Sequence, residues 1–297
     1  MDLCLLAIIE WHEILYIEEG FLDKEYKPMS IEGLRFVITG ASAGIGAGTA
    51  KLAASKGAKV VVSDLNDKDG ESLVTEIIDD GGEAIYQHCD VSDEDQVKEL
   101  MAKAYETFGG IDILHNNAGI HDSYVSQDLS LEAMSLETFE KVLSVNLTGI
   151  FLCSKYALPF LKESSQASII NAGSMGTVAG FPNCLAYGTS KGAVGLLTKN
   201  LAVELAPHSI RVNCYCPGSI RTEMVDKFLE AADDPEIMLK TLTQAHLIPG
   251  MGEPIDVAEL VCFLASEKSR FVNGVLWLID GGTMAWRGTM DILGMEE

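Results

Sequence analysis

Tyr187 and Lys191 stand four residues apart in the stretch AYGTSKGA, among some of the smallest side chains available. Positions i and i+4 of a helix share a face, so a phenol and an ammonium would project side by side. A phenol with an ordinary pKa of about 10 is a poor acid–base group at neutral pH, but a cation within about 4–6 Å favours its ionised form. Lys191, joined by the positive charge of an oxidised nicotinamide, is expected to bring that value down by about one to three pH units and make Tyr187 a general base. Ser174, just past an apolar run, would hold the substrate oxygen. Lys191 would also bind the nicotinamide ribose, and Asn146, in a long helix further upstream, would carry a water that passes the proton to solvent. Gly188, Gly192 and Ala193 are small enough to let a cofactor and adjoining helices approach.

These four side chains meet only if the elements around them converge. Short apolar runs at 34–39, 59–63, 84–88, 111–114, 167–171, 211–214 and 275–278 read as strands buried on both faces. Between them, 44–56, 68–79, 94–108, 136–161, 184–205 and 254–264 read as helices. This alternation predicts an α/β fold, a doubly wound parallel seven-stranded sheet with ligands at the carboxyl ends of its strands. No linker divides the chain, so 31–297 reads as one domain, with the break at 221–247 suiting a flap over a pocket. Residues 1–30 read as a non-core extension. Their apolar start, MDLCLLAII, lacks a basic lead and runs into Glu10, so it is neither a signal peptide nor a membrane span, and an amphipathic partner-binding helix is the alternative.

The first strand opens into TGASAGIG, where Gly40, Ser42, Gly44, Ile45 and Gly46 would wrap a pyrophosphate at a helix amino terminus. Asp64 closes the second strand. A carboxylate there accepts from both adenosine-ribose hydroxyls and repels a 2′-phosphate, and neither Ala43 nor Leu65 supplies a compensating base, so the cofactor expected is NAD rather than NADP. By the same logic Asp90 and Val91 border the adenine, the plain alternative being an ordinary aspartate preceding a helix. In HNNAG, Asn117, Ala118 and Gly119 would let the cofactor lie against the backbone, with Asn117 tying neighbouring strand ends. His115 and His121 read as packed or solvated side chains without acid–base duty.

Composition narrows the partners. Lys+Arg 21 against Asp+Glu 44 gives a net charge of −23, which repels nucleic acid, anionic membranes and acidic carrier proteins over a Debye length of about 8 Å. The seven cysteines are scattered through mostly apolar runs, as reduced thiols of a cytoplasmic protein would be. Cys214 and Cys216 form a CxC with no second ligand pair, so no metal site is expected.

Together these residues resemble the short-chain dehydrogenase/reductase family. TGxxxGxG appears as TGASAGIG, NNAG as Asn116 to Gly119, the helix asparagine as Asn146, the active-site serine as Ser174, YxxxK as Tyr187 and Lys191, and the PG turn as Pro217-Gly218. The resemblance spans Gly33 to Gly282, where DGG matches the family's tail. It implies a Rossmann fold, reversible hydride transfer between a secondary alcohol and its ketone, and a homotetramer, with a homodimer as the alternative. It further implies that Pro217, Gly218, Ile220 and Thr222 border the cofactor, the last two holding the nicotinamide carboxamide. Departures are NAGS before Ser174, a long loop at 121–133, and the extra first thirty residues.

The leading reading is an NAD-dependent dehydrogenase of a neutral, hydrophobic or cyclic secondary alcohol (steroid, terpenoid or cycloalkanol). Its expected pocket walls are Met175, Gly176, Phe181, Cys184, Leu185, Tyr215, Met224 and Phe228, with plain core packing the alternative for each. An NADP-dependent 3-ketoacyl-type reductase, a sugar dehydrogenase and a non-catalytic dinucleotide sensor are the alternatives. Asp64 and the acidic surface speak against the first of these.

Overall fold

The computed structural model describes residues 29–286, except 231, 233 and the side chain of Phe228. The expected extension, with Cys4, falls outside the described residues apart from its last two positions. So does the expected role of Phe228 as a pocket wall.

Alternation with a period of two explains why the central strands carry apolar residues at nearly every position. β1 (Arg35–Thr39) turns Phe36 and Ile38 to one face and Val37 to the other, and β2 (Lys59–Asp64) divides Val60 and Val62 from Val61 in the same way. None of the six is more than 1% exposed. β3 (Glu83–His88), β4 (Ile113–Asn116), β5 (Ser168–Ala172), β6 (Arg211–Pro217) and β7 (Leu276–Ile279) complete a seven-stranded sheet in the order β3-β2-β1-β4-β5-β6-β7. Every pairing is parallel. This is the expected doubly wound Rossmann architecture. Two-sided burial fails at the edges, however: Trp277 and Leu278 of β7 are 37% and 40% exposed, because an edge strand lacks one neighbour and part of its cover.

Helices α1 (Gly44–Ser55), α2 (Asp67–Asp79) and α9 (Pro254–Ala265) cover the Phe36 face. The Val37 face lies under α3 (Glu94–Phe108), α5 (Gly149–Leu161) and α6 (Leu185–Glu204). The helix expected over 136–161 is interrupted. α4 (Leu136–Leu143) passes into one π-helical turn, Ser144–Thr148, before α5 begins. The wider turn carries Asn146 inward, and such bulges concentrate at functional sites. By length and composition Leu136–Leu161 is apolar enough to cross a membrane, but half of it is buried inside the protein, as befits a core helix. The 221–247 segment holds two further helices, α7 (Glu223–Glu230) and α8 (Pro235–Gln244).

Strand order reverses between β1 and β4. At that switch point the loops leaving the two strands diverge to opposite sides of the sheet and open a crevice beyond their carboxyl ends.

Candidate active site

The turn after β1 is shaped by what cannot fit beside it. Gly40 has φ +62°, and a Cβ there would stand 2.6 Å from the Ala118 Cα; one on Gly46 would stand 2.3 Å from the Gly40 carbonyl oxygen. Asn117 ties the two strand ends, donating from Nδ2 to the carbonyls of Thr39 (3.1 Å) and Gly40 (2.7 Å), while Thr39 Oγ1 accepts from the amides of Asn117 and Ala118. Ala43, at the N-cap of α1, offers no capping side chain, and the first turn of α1 holds no acid. Its amides are therefore available to an anion.

Asp64 is fixed from both sides. Its Oδ2 accepts from the Ser42 amide at 3.0 Å and its Oδ1 from the amides of Leu65 and Asn66 at 2.7 and 3.1 Å, which leaves one lone-pair site, on Oδ2, for a further donor. Beside the turn a cavity of about 440 Å3 is bordered by Ser42, Ala43, Gly44 and, from the other wall, Thr222. A Cβ on Gly44 would lie 3.1 Å from the Thr222 side chain. Glycines where side chains would collide, an uncapped helix terminus and an amide-locked carboxylate fit a dinucleotide whose pyrophosphate and ribose lie here.

The remaining residues expected at this end are less uniform. Ile45 packs against the core, and Leu65 is 58% exposed at the rim. Asp90 accepts from the amide and hydroxyl of Ser92 in the turn preceding α3, whose cap is Asp93. Val91 is buried against Gly149. Pro217 and Gly218 end β6, and Ile220 pairs with Gly252 to hold the following segment over the turn. His246 secures it: Nε2 accepts from the Ser219 amide at 3.1 Å and Nδ1 donates to the Gly250 carbonyl at 2.7 Å.

At the reactive end, the π turn, β5 and α6 bring Asn146, Ser174, Tyr187 and Lys191 together. The Lys191 ammonium is 3% exposed, donates to the Ala172 carbonyl at 2.7 Å and lies 5.6 Å from the centre of the Tyr187 ring. A Cβ on Gly119 would stand 3.3 Å from Asn146 Oδ1 and 3.4 Å from Lys191 Nζ, so the NNAG segment runs beside both. Asn146 exchanges two hydrogen bonds with the backbone of Ile120 and donates to Ser190 Oγ at 3.0 Å. Ser174 accepts from the Gly176 amide at 3.1 Å and hydrogen-bonds the Tyr187 phenol.

The electrostatics of the protein alone run against the expected lowering of the phenol. Burial pushes Tyr187 up to about 12, with the Ser174 hydrogen bond pulling the other way, and burial pushes Lys191 down to about 8. Lys191 is itself desolvated and spends one donor on a carbonyl, so its charge does not offset the cost of burying a phenolate.

Sequence reasoning missed several neighbours. Asp122 is fully buried and its carboxylate accepts from the backbone amides of Ala186 and Tyr187. His121, 3% exposed, packs its ring 5.0 Å from that of Tyr187 and reaches Cys184 Sγ at 3.3 Å. Tyr215, expected as a pocket wall, is a core residue: it is 0% exposed, donates to Asn117 Oδ1 at 3.1 Å and meets His115 Nε2 at 2.9 Å. Burial holds His115 neutral by taking its pKa down to about 3. A cavity of about 280 Å3 with mixed polar and apolar walls lies between Ala179–Phe181, Gln244–Leu247 and Gly282–Trp286, and of the expected walls it includes Phe181 alone. Cys214 and Cys216 are buried with their sulfurs 4.0 Å apart.

Comparison with known proteins agrees with this geometry. Residues 40–284 match the family model described as enoyl-(acyl carrier protein) reductase. A 2,5-dichloro-2,5-cyclohexadiene-1,4-diol dehydrogenase of Sphingobium indicum is 36% identical over 86% of this chain and 98% of its own. The 3-oxoacyl-(acyl-carrier-protein) reductase FabG of Thermotoga maritima is 37% identical over 86% of this chain and 99% of its own. Among solved structures, levodione reductase superposes with a TM-score of 0.80 at 33% identity, covering 86% of this chain and 99% of its own. With the switch-point crevice, the glycine turn and the Ser–Tyr–Lys grouping all on one continuous match, the chain belongs to the short-chain dehydrogenase/reductase family, oxidoreductases that use nicotinamide dinucleotides on small molecules.

Proposed function

We propose that the protein is an NAD-dependent dehydrogenase that interconverts a neutral, hydrophobic or cyclic secondary alcohol and its ketone, with Tyr187 as the acid–base group. The observation that carries this reading is the half-buried Tyr187 phenol with the Ser174 hydroxyl and the Lys191 ammonium beside it, the ammonium next to Gly119. A bound nicotinamide dinucleotide supplies the hydride acceptor and, when oxidised, a positive charge near the phenol. Ser174 holds the carbinol oxygen and Tyr187 removes its proton as the carbon loses hydride, leaving a carbonyl; in reduction Tyr187 returns the proton. Lys191 keeps two ammonium donors beyond Ala172 for a ribose hydroxyl. Asn146 ties the Ile120 backbone to Ser190 of the phenol's own helix and sits at the head of the proton's exit.

Asp64 supports NAD, since an amide-locked carboxylate leaves no space or charge for a 2′-phosphate. The cavity edged by Phe181, Leu247, Met284 and Trp286 supports an apolar substrate, with the 221–247 segment closing over it as a flap. The cyclohexadiene diol named for the Sphingobium relative points the same way. A homotetramer or homodimer working in the cytoplasm is part of the same proposal, as is a single catalytic domain over 31–297. The FabG relative favours a second reading, an NADP-dependent ketoacyl reductase.

A panel of cyclic and linear secondary alcohols, assayed with NAD at pH about 9 and repeated with Tyr187→Phe, tests the proposal. Oxidation of cyclic alcohols that rises with pH and falls by about 10²–10⁴ in the variant is expected. A variant that keeps most of its activity would show the base to be misassigned. Clear preference for NADPH over NADH in the reverse direction would favour the ketoacyl reading.

A further inference from the structure

Helix α6 carries both Tyr187 and Lys191, yet its own sequence does not cap it. Cys184 at the N-cap makes no side-chain hydrogen bond, and the first turn holds no acid. An uncapped helix start leaves amides without partners, and here they lie beside the reactive phenol. The missing acceptor comes from Asp122, 64 and 65 residues earlier in the chain. Its Oδ2 takes the Ala186 amide at 3.1 Å and its Oδ1 takes the amide of Tyr187 itself at 2.7 Å.

The segment bearing Asp122 is held at its other end by a second catalytic candidate. Ile120 exchanges both backbone groups with Asn146, at 2.8 and 2.9 Å. Between the anchors, His121 lays its ring against that of Tyr187 and contacts Cys184. Residues 120–122 thus form a strut from the π turn to the first turn of α6. Building on the proposed acid–base role of Tyr187, we propose that Asp122 is a positioning residue for that reaction, a cap supplied from a distant loop that fixes the height of the phenol over the substrate.

The carboxylate has an electrostatic consequence besides a mechanical one. The groups facing the phenol are Cys184 from the start of α6, Cys216 from β6, His121 and Asp122 from the strut, Ser174 from the end of β5, and Lys191 one turn along α6. Burial acts most strongly on the phenol; among these neighbours Ser174 lowers its pKa, while Cys184, Cys216 and Asp122 raise it. Replacing the carboxylate by an amide removes an anion but leaves one carbonyl acceptor.

The experiment compares Asp122→Asn and Asp122→Ala with the parent by hydrogen exchange of the Ala186 and Tyr187 amides, by cofactor affinity and by the pH profile of kcat. Exchange of those two amides should accelerate at least about tenfold in Asp122→Ala, and this readout stands whether or not a substrate is known. In Asp122→Asn, kcat should fall about tenfold with NADH affinity within about twofold, and the acid limb of the oxidation profile should move to lower pH. Unchanged exchange at both amides, or a fall in kcat with an unmoved limb and a matching loss of NADH affinity, would overturn the proposal. If the parent turns over no alcohol while the exchange result holds, the cap stands and only the acid–base reading fails.

Discussion

The two ends of β1 and β4 use polar groups in opposite ways. At the amino ends, Arg35 donates from Nε and Nη2 to the two oxygens of Asp112, each at 2.7 Å, and from its backbone amide at 2.9 Å. Its Nη1 donates to the Gly109 carbonyl, and Ser164 adds a fourth donor to Asp112. At the carboxyl ends of the same strands, space is cleared by Gly40 and Ala118, while Lys191, Tyr187 and Asp64 keep donor or acceptor capacity beyond their observed partners. Saturated polar groups hold a sheet together. Groups left partly unsatisfied in a buried crevice are poised to bind and to exchange protons, at some cost in stability.

This contrast breaks if mutations at the two ends do the same thing. Asp112→Ala should lower unfolding free energy by about 2 kcal/mol, less than for a fully buried pair because Arg35 is partly exposed, yet leave kcat within about twofold well below the melting temperature. Tyr187→Phe should do the reverse, abolishing most turnover with Tm within about 2 °C of the parent. Denaturant melts and initial rates on both variants check the crossing.

Smaller effects sharpen it. Asp64→Ala should narrow or invert the NADH-over-NADPH preference by about tenfold, equivalent to about 1.4 kcal/mol, read from the ratio of kcat/KM values. Tyr215→Phe frees the Asn117 amide that spans Thr39 and Gly40, so KM for the dinucleotide should rise a few-fold with kcat unchanged. The least effect concerns acid. Burial raises the Asp112 carboxyl, but its hydrogen bonds to Arg35 and Ser164 outweigh burial and hold it below the ordinary value. Its contribution is therefore complete above pH about 4 and is lost as pH falls through the folded value, so Asp112→Ala should show a shallower loss of stability on acidification.

Much of the carboxyl end was legible because its signals are local. A strand, a glycine turn and a helix succeed one another between Arg35 and Ser55, and the i, i+4 pair announces a shared helix face. The amino end was not, since Arg35 and Asp112 are far apart in sequence and neither breaks a pattern. Asp122 was hidden for the same reason: a cap supplied from 64 residues away leaves no mark beside the helix it serves. Tyr215 was left open between pocket wall and core because an aromatic in an apolar strand looks alike whether it faces a pocket or a buried histidine. Spacing revealed the cation beside the phenol but not how strongly desolvation in the protein alone raises its pKa.

The most direct test is a crystal structure of the complex with reduced dinucleotide. The account predicts the Tyr187 hydroxyl and the Ser174 hydroxyl converging on the side of the nicotinamide ring from which hydride leaves, with Lys191 at its ribose. A ring bound elsewhere, or a phenol turned away from the hydride-exchanging carbon, would contradict it.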